Sequence, residues 1–553
     1  MAFGELPRVP PERAIREYME ILARNGMAPQ AETAAVADAA GRITAGPVYA
    51  RACVIEMVLP SYSLITPPAI GAMLAGGISE VMVIKRPVVG IVAQEMGHMG
   101  TDPSPCVPSP PVFSAMLRGW GADTVVYTVA GNGPGDVGDA LGAAVSQCDA
   151  VVLCAGSAAG GLGNSAGGLS NTADAIAAIG TVVFDGLAIK PGELAVLGHC
   201  GPKPVVGVPG CPVSGAIVME QLLRPIIGHL SKKEPEPYRY VEAWLSRAVV
   251  SAPDYHESVR VRLGFVRERF VASPLGRGSG AVASFMGADG IVEVPLGVGG
   301  YKSGGAVNVR LLRPEREIRR SLVVIGSHDP LLDELAELLR VGYGDISVCS
   351  AHVGSMGGLL ALRRGEAHLA GTHLLDEKTG EYNGIFVRKM LPKGGVRLVE
   401  CVKRMQGLIL PRGNPDGITG FTGLLQGGLR FVNRQKGSGT RILTDYLCRV
   451  SGVDTLKING YDREEFTHSA VAALVAAGSA DAGVGVYSAA RQSGLDFVPV
   501  CREQYDLLIP DHAWDLPMVQ KLLLVLKSDA FRRRLEAMGG YEVDNPGAVR
   551  EVF

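Results

Sequence analysis

The spacing of apolar positions changes several times along this chain. Between Pro11 and Gly26, the residues Ala14, Ile15, Tyr18, Ile21 and Leu22 recur at helical intervals, and Gly26 stops the run. A second helical stretch is expected over 31–40, ending at Gly41. From Pro87 onward, short apolar runs alternate with longer amphipathic ones. Residues 88–92, 124–129, 150–153, 181–184 and 204–208 read as strands, and 111–119, 137–147, 172–179 and 213–227 as helices. This alternation predicts a parallel, doubly wound sheet that binds ligands beyond the carboxyl ends of its strands. The glycine-rich segments 155–168 and 209–215 fall at such ends.

A polar stretch at 231–237, with Lys232, Lys233, Glu234, Pro235 and Pro237, reads as a linker. Beyond it come short alternating segments, such as Val259-Arg260-Val261-Arg262-Leu263 and Val307-Asn308-Val309-Arg310-Leu311. Gly and Pro separate them, which predicts a small β-barrel. After a charged stretch at 313–320, the run from Leu322 to His328 opens a new α/β pattern that continues to Phe553.

Composition narrows the function classes. At 553 residues the chain exceeds what one core supports. It is 47% hydrophobic and 20% charged, with a net charge of −2, so it is globular and has no electrostatic reason to bind nucleic acid or an anionic membrane. No basic, apolar leader is visible at Met1, and no apolar run reaches the length of a membrane span. The ten cysteines form no C-x-x-C pair, which argues against zinc or a redox pair and fits a reducing cytoplasm.

Candidate chemistry lies at three turns. Lys190 follows a strand and precedes Pro191-Gly192, where it is either a solvated lysine or a point charge for a phosphate or oxyanion. Pro209-Gly210-Cys211-Pro212 is a second tight turn, and Cys211 reads as a small buried residue. In the last third, Arg434-Gln435-Lys436-Gly437-Ser438-Gly439-Thr440 joins a strand to a helix. Hydroxyls, free N–H groups and the helix dipole would meet an anion there. Ser327 and Ser355 occupy similar turns and read equally as helix caps or ligand contacts. The segments around His373 and Asp376 and around Tyr487 resemble a periplasmic-binding-protein-like domain, which would put the first two where its lobes cross and Tyr487 at its cleft mouth; as lone residues they would more often be structural.

Ile189-Lys190-Pro191-Gly192 and Pro204 to Gly215 resemble the molybdenum-insertase family, called MoeA in bacteria and gephyrin in animals. Pro274 to Ala281 and Ala288-Asp289-Gly290-Ile291 resemble that family's last domain, and the C-terminal third resembles a periplasmic-binding-protein-like domain. The resemblance implies an α/β multidomain protein: an N-terminal helical segment at 1–63, a molybdopterin-binding-like doubly wound domain at 64–230, a β-barrel at 238–314 and a two-lobed ligand-binding domain at 320–553. It implies molybdopterin held by Gly156, Ser157, Lys190, Pro209, Gly210 and Ser214. Lys190 and Glu95 would be catalytic, with molybdate and Mg2+ taking part and a homodimer as the assembly. The C-terminal ligand would meet Ser327, Ser355, Arg434, Ser438, Gly439, Thr440 and Tyr487. The chain also departs from the family pattern. Glu193 stands where the second lysine of K-P-G-K-P is expected, and Cys211 replaces the asparagine of P-G-N-P. Ala93-Gln94-Glu95-Met96 replaces T-G-D-E, and the family's extra N-terminal domain is missing. Two readings follow: a molybdopterin molybdotransferase, or a non-catalytic protein that binds, senses or carries molybdopterin or an oxyanion.

Overall fold

The computed structural model describes residues 9–50, 56–94, 109–129, 134–155, 170–276, 285–344, 346–376, 378–426 and 428–553. Helix Pro11–Arg24 forms as its periodicity predicts and buries Ala14, Tyr18 and Leu22 against Val89, Ile91, Val206 and Ile226.

The second predicted helix is absent. Ala31–Ala35 is a strand antiparallel to Glu80–Ile84, followed by a short 3-10 turn, Val36–Asp38. Alanine favours helix, but Val36, Ala39, Val48, Ile65, Met73, Val81 and Val83 bury one another in a small separate core. That burial outweighs local propensity. Strands Val48–Ala50 and Glu56–Leu59 pair beside it, and helix Pro67–Ala75 covers it. The segment expected to be helical at 1–63 is therefore mixed α and β, and residues 64–84 pack with it rather than with the large sheet.

That sheet has six strands, in the order Asp123–Val129, Val88–Gln94, Ala150–Ala155, Lys203–Pro209, Val196–Cys200, Thr181–Asp185. The first four are parallel, as predicted. Val196–Cys200 runs antiparallel to both neighbours, so the sheet is mixed at one edge. A tight turn at Gly201 makes this hairpin, and a hairpin needs no crossover helix to announce it in the sequence.

The next segment closes into a five-stranded barrel. Tyr240–Leu245 pairs with Ala306–Leu311 on one side and Arg269–Pro274 on the other. His256–Val266 and Gly290–Val294 complete the ring. Ile189–Lys190 adds to this barrel in parallel with His256–Val266, so Lys190 sits at the seam between α/β sheet and barrel.

The last part has two lobes. Two 15-residue strands, Val396–Leu410 and Asp496–Pro510, pair antiparallel along their length. Val399, Val402, Leu507 and Ile509 belong to one core, and Leu408 and Leu410 to another. The same two strands therefore thread both lobes. In the first lobe Ser321–Gly326 and Ser347–His352 are parallel, and Val324 bridges in parallel to Leu369. In the second, Phe431–Arg434 runs parallel to Ala482–Val486. Among the described residues no helix is long and apolar enough to cross a membrane.

Candidate functional site

At the seam, the Lys190 side chain is exposed, with its ammonium 5.7 Å from the centre of the Tyr255 ring. Gly192 has φ of 125°, and a Cβ there would lie 2.5 Å from Val218, so glycine is required. Glu193, where a second lysine was expected, turns its carboxylate back to accept from the Gly192 N–H at 3.0 Å. Pro209 ends its strand half-buried, and the buried Gly210 carbonyl accepts from Ser109 Oγ at 2.5 Å. Ser214 is buried one turn further on. Arg260 of the barrel lies within electrostatic reach of Cys211. Its Nη2 donates to the Gly276 carbonyl at 2.9 Å, while Nε and Nη1 are buried without a partner among the described residues. Glu95, Gly156 and Ser157 lie outside the described residues.

The second site lies between the lobes. Ser327, His352 and His373 follow or end adjacent strands in the first lobe, and Arg434 ends a strand in the second. His373 joins the predicted turns. Its Nδ1 donates to Glu503 Oε2 at 3.0 Å, which leaves Nε2 to accept from Ser327 Oγ at 2.7 Å. Its backbone N–H donates to Ser355 Oγ at 3.2 Å. Gly439 packs so close to the ring that a Cβ would lie 2.5 Å from His373 Cε1. Ser438 caps its helix by accepting from the Arg441 N–H at 3.1 Å, and Thr440 Oγ1 accepts from Gln406 Nε2 at 3.1 Å. The predicted hydroxyl-bearing turns thus converge. Two residues do not join them. Tyr487 packs edge-on against Phe497, 5.3 Å between ring centres, and against Gly540. Asp376 is half-buried and holds its own turn by accepting from Thr379.

The strongest features of this site were not legible as a motif. Arg404 and Gln406 alternate on one face of the long strand, opposite Glu503 on the other. Arg404 donates to Asp329 and, at 2.5 Å, to Glu503. Asp329 also accepts from Tyr541 at 2.7 Å and from the Leu331 N–H at 2.8 Å. Arg434 donates to the carbonyls of Glu465 and Phe466. His328 stacks edge-on with His352, 4.4 Å between centres, and lies 6.3 Å from His468. All of these side chains except Tyr541 and the half-buried His352 belong to buried residues. Several of their polar atoms have no partner among the described residues: Arg404 Nη2, Arg434 Nη1, His328 Nδ1, His352 Nδ1, both ring nitrogens of His468, and the Oε1 atoms of Gln406 and Gln435. The signal in the sequence was an arginine and a glutamine two residues apart inside an otherwise mostly apolar strand.

Charge and burial set the protonation states. Burial, then His352, Arg434 and Arg404, hold His328 well below its usual range. Burial, then Arg262 and Arg434, bring His352 to about 4. His468 is likewise held well down by burial and the two arginines. Burial lowers His373 despite Glu503. Burial opposes the Glu503 carboxylate, but Arg404 and His373 overcome it and hold it at about 2. Burial and Arg404 push Arg434 down to about 9. The imidazoles are therefore neutral and the Glu503 carboxylate charged.

The fold defines a class: a MoeA-like α/β domain and barrel carrying a two-lobed ligand-binding domain. Family models agree. Residues 109–229 match the probable molybdopterin binding domain, 242–312 the MoeA C-terminal region (domain IV), and 336–527 the PBP superfamily domain. The chain belongs to the MoeA-like proteins fused to a PBP-like domain, and shares a family with YvgK of Bacillus subtilis. It is 32% identical to that uncharacterised protein over 230 residues, 42% of this chain and 74% of YvgK. It is 24% identical to the Bacillus subtilis molybdopterin molybdenumtransferase over 278 residues, 47% of this chain and 60% of that one. Among solved structures, the molybdopterin biosynthesis moea protein from Pyrococcus horikosii aligns over 56% of this chain and all of its own, at 20% identity and a TM-score of 0.43. The chain belongs to a molybdopterin-binding family of molybdenum-cofactor biosynthesis.

Proposed function

We propose that this chain is a binding protein of molybdenum-cofactor biosynthesis that holds molybdopterin at the seam and captures a tetrahedral oxyanion, molybdate foremost, between its lobes. The observation that carries this reading is the buried set of Arg404 Nη2, Arg434 Nη1 and the His468 ring N–H, unpartnered among the described residues. Orphaned buried donors cost about 1–3 kcal/mol each, more when charged, and an oxyanion offers the lone pairs that they lack. At the seam, Lys190 would meet a phosphate of the pterin, with the turns at Gly192 and Gly210 letting backbone approach it. The protein would be cytoplasmic and dimeric, one barrel lying over the partner's seam.

A second reading is supported by Lys190 itself, which keeps the first lysine of the family motif exposed at the seam. The chain would then be a molybdotransferase, taking adenylylated molybdopterin and molybdate to the cofactor and AMP. No group of three or more His, Cys, Asp or Glu able to hold a metal ion occurs among the described residues, so magnesium stays with the resemblance alone. The full chain, given molybdate, adenylylated molybdopterin and magnesium, separates the readings. Molybdate binding without AMP release supports the carrier. AMP release that is lost in Lys190→Ala supports the transferase.

A further inference from the structure

The charges between the lobes already balance before any anion arrives. Two buried guanidiniums, Arg404 and Arg434, face two buried carboxylates, Asp329 and Glu503. Glu465, half-buried, adds negative charge within reach of Arg434, and Arg262, half-buried on the barrel, adds a matching positive charge within reach of His352. Tyr505 and Tyr541 are held neutral, burial and then Asp329 pushing both hydroxyls well up. A dianion entering this space brings charge that nothing fixed in the site offsets, and an uncompensated buried charge is costly. The groups left to respond are imidazoles. His328 sits after one strand, His352 at the end of its neighbour, and His468 at the start of a helix in the other lobe. Each has at least one buried ring nitrogen with no partner. His373 differs, because both of its nitrogens are engaged, by Glu503 and Ser327.

We infer that anion capture between the lobes is proton-coupled: the site takes up a dianionic oxyanion together with about one proton, stored on the His328–His352–His468 cluster. This deepens the oxyanion reading and rests on it. The free nitrogens supply the place for the proton, and protonation turns a ring that offers one donor into one that offers two. Magnitudes permit it. A unit negative charge about 4 Å away, at an effective dielectric near 20, raises an imidazole's proton affinity on the order of a thousandfold. That moves His352 from about 4 toward neutrality, by outweighing Arg434 and Arg262, which now hold it down. The ligand class follows. The site fits an oxyanion that is a dianion at neutral pH, such as molybdate, tungstate or sulfate. Hydrogen phosphate, the main phosphate species at pH 7.5, is a dianion too and would need the same uptake.

Calorimetry of the full chain tests this, with molybdate, tungstate, sulfate and phosphate titrated at pH 7.5 in two buffers of different ionisation enthalpy. The expected result is about one proton taken up per molybdate or sulfate, and affinity that falls up to tenfold per pH unit from 6 to 8. Uptake per bound molybdate should shrink in His328→Asn, with folding checked by circular dichroism and binding retained through the arginines, and in His468→Gln, which should also bind molybdate more weakly. Molybdate binding with no proton uptake and a flat pH profile would overturn the inference while leaving the oxyanion reading intact. So would uptake that is unchanged in both variants and in His352→Asn. Absence of binding by all four anions would overturn both.

Discussion

Arg404 and Glu503 lie directly opposite one another on the two strands that join the lobes, and the guanidinium Nε donates to Glu503 Oε1 at 2.5 Å. Both side chains are essentially excluded from water, at 0% and 1% exposure. This pair fixes the geometry from which Asp329, His373 and Gln406 take their places, so it anchors both lobes and site.

Glu503→Gln should therefore destabilise the C-terminal lobes by about 3–5 kcal/mol, since it leaves Arg404 buried with one carboxylate fewer. Urea unfolding of the full chain, followed by circular dichroism, measures it. The double variant Arg404→Met, Glu503→Leu should cost less than the single one, because no buried charge is stranded between those positions. A single variant as stable as the natural chain would show that the pair is not under this constraint.

Stability should fall as pH drops from 6.5, in two stages. His352 is about 4 when folded against about 6.5 unfolded, so the unfolded chain binds the extra proton and folding weakens between those values. Glu503 is about 2 when folded against about 4.5 unfolded, so its contribution, about 3 kcal/mol, is present above pH 4.5 and lost as pH falls toward 2. Melting temperature measured from pH 7 to pH 3 should decline throughout, and His352→Asn should flatten the upper part of the curve.

Gly439→Ala should wedge the lobes. Its Cβ would sit 2.5 Å from His373 Cε1 and 2.7 Å from the His373 carbonyl oxygen. Overpacking of this kind costs about 1–3 kcal/mol. Because the contact crosses between lobes, the strain should also appear as weaker anion binding and a larger radius of gyration in small-angle scattering. A variant with unchanged binding and radius would place the two lobes further apart in solution.

Lys190→Ala should change stability by no more than about 0.5 kcal/mol, since the side chain is exposed. Molybdopterin affinity should fall about tenfold or more, while molybdate binding between the lobes stays the same. Equal loss of both would mean that the two sites communicate.

Much of the architecture was legible along the chain. Strands and helices between Val88 and Ser231 alternate as their apolar runs do, because the central strands Val88–Gln94, Ala150–Ala155 and Lys203–Pro209 are largely buried and the helices pack apolar faces on them; the edge strands Asp123–Val129 and Thr181–Asp185 are more exposed. The barrel followed from alternating residues such as Val259, Val261 and Leu263, all of which point into its core. The helix misread at 31–40 failed for a nonlocal reason: Ala31–Ala35 becomes a strand only because Glu80–Ile84 lies alongside. Ser327, Ser355, Ser438, Gly439 and Thr440 were visible because strand-to-helix turns need small or hydroxyl-bearing residues. Tyr487 was placed at the cleft by the resemblance of its segment to a periplasmic-binding-protein-like domain, yet its ring is taken up by Phe497 and Gly540.

By itself the sequence determined what local chemistry determines: where helices and strands occur, which glycines must turn, and the lysine and serine turns of the two candidate sites. Only the tertiary structure decided which charges share a buried space. Asp329, Arg404, Arg434, His468 and Glu503 are spread over 175 positions of the chain, from 329 to 503, and none is informative alone. Their meeting depends on two long strands passing through both lobes. Once they are buried together, electrostatics makes them a site, because charges worth little in water interact strongly where water is excluded.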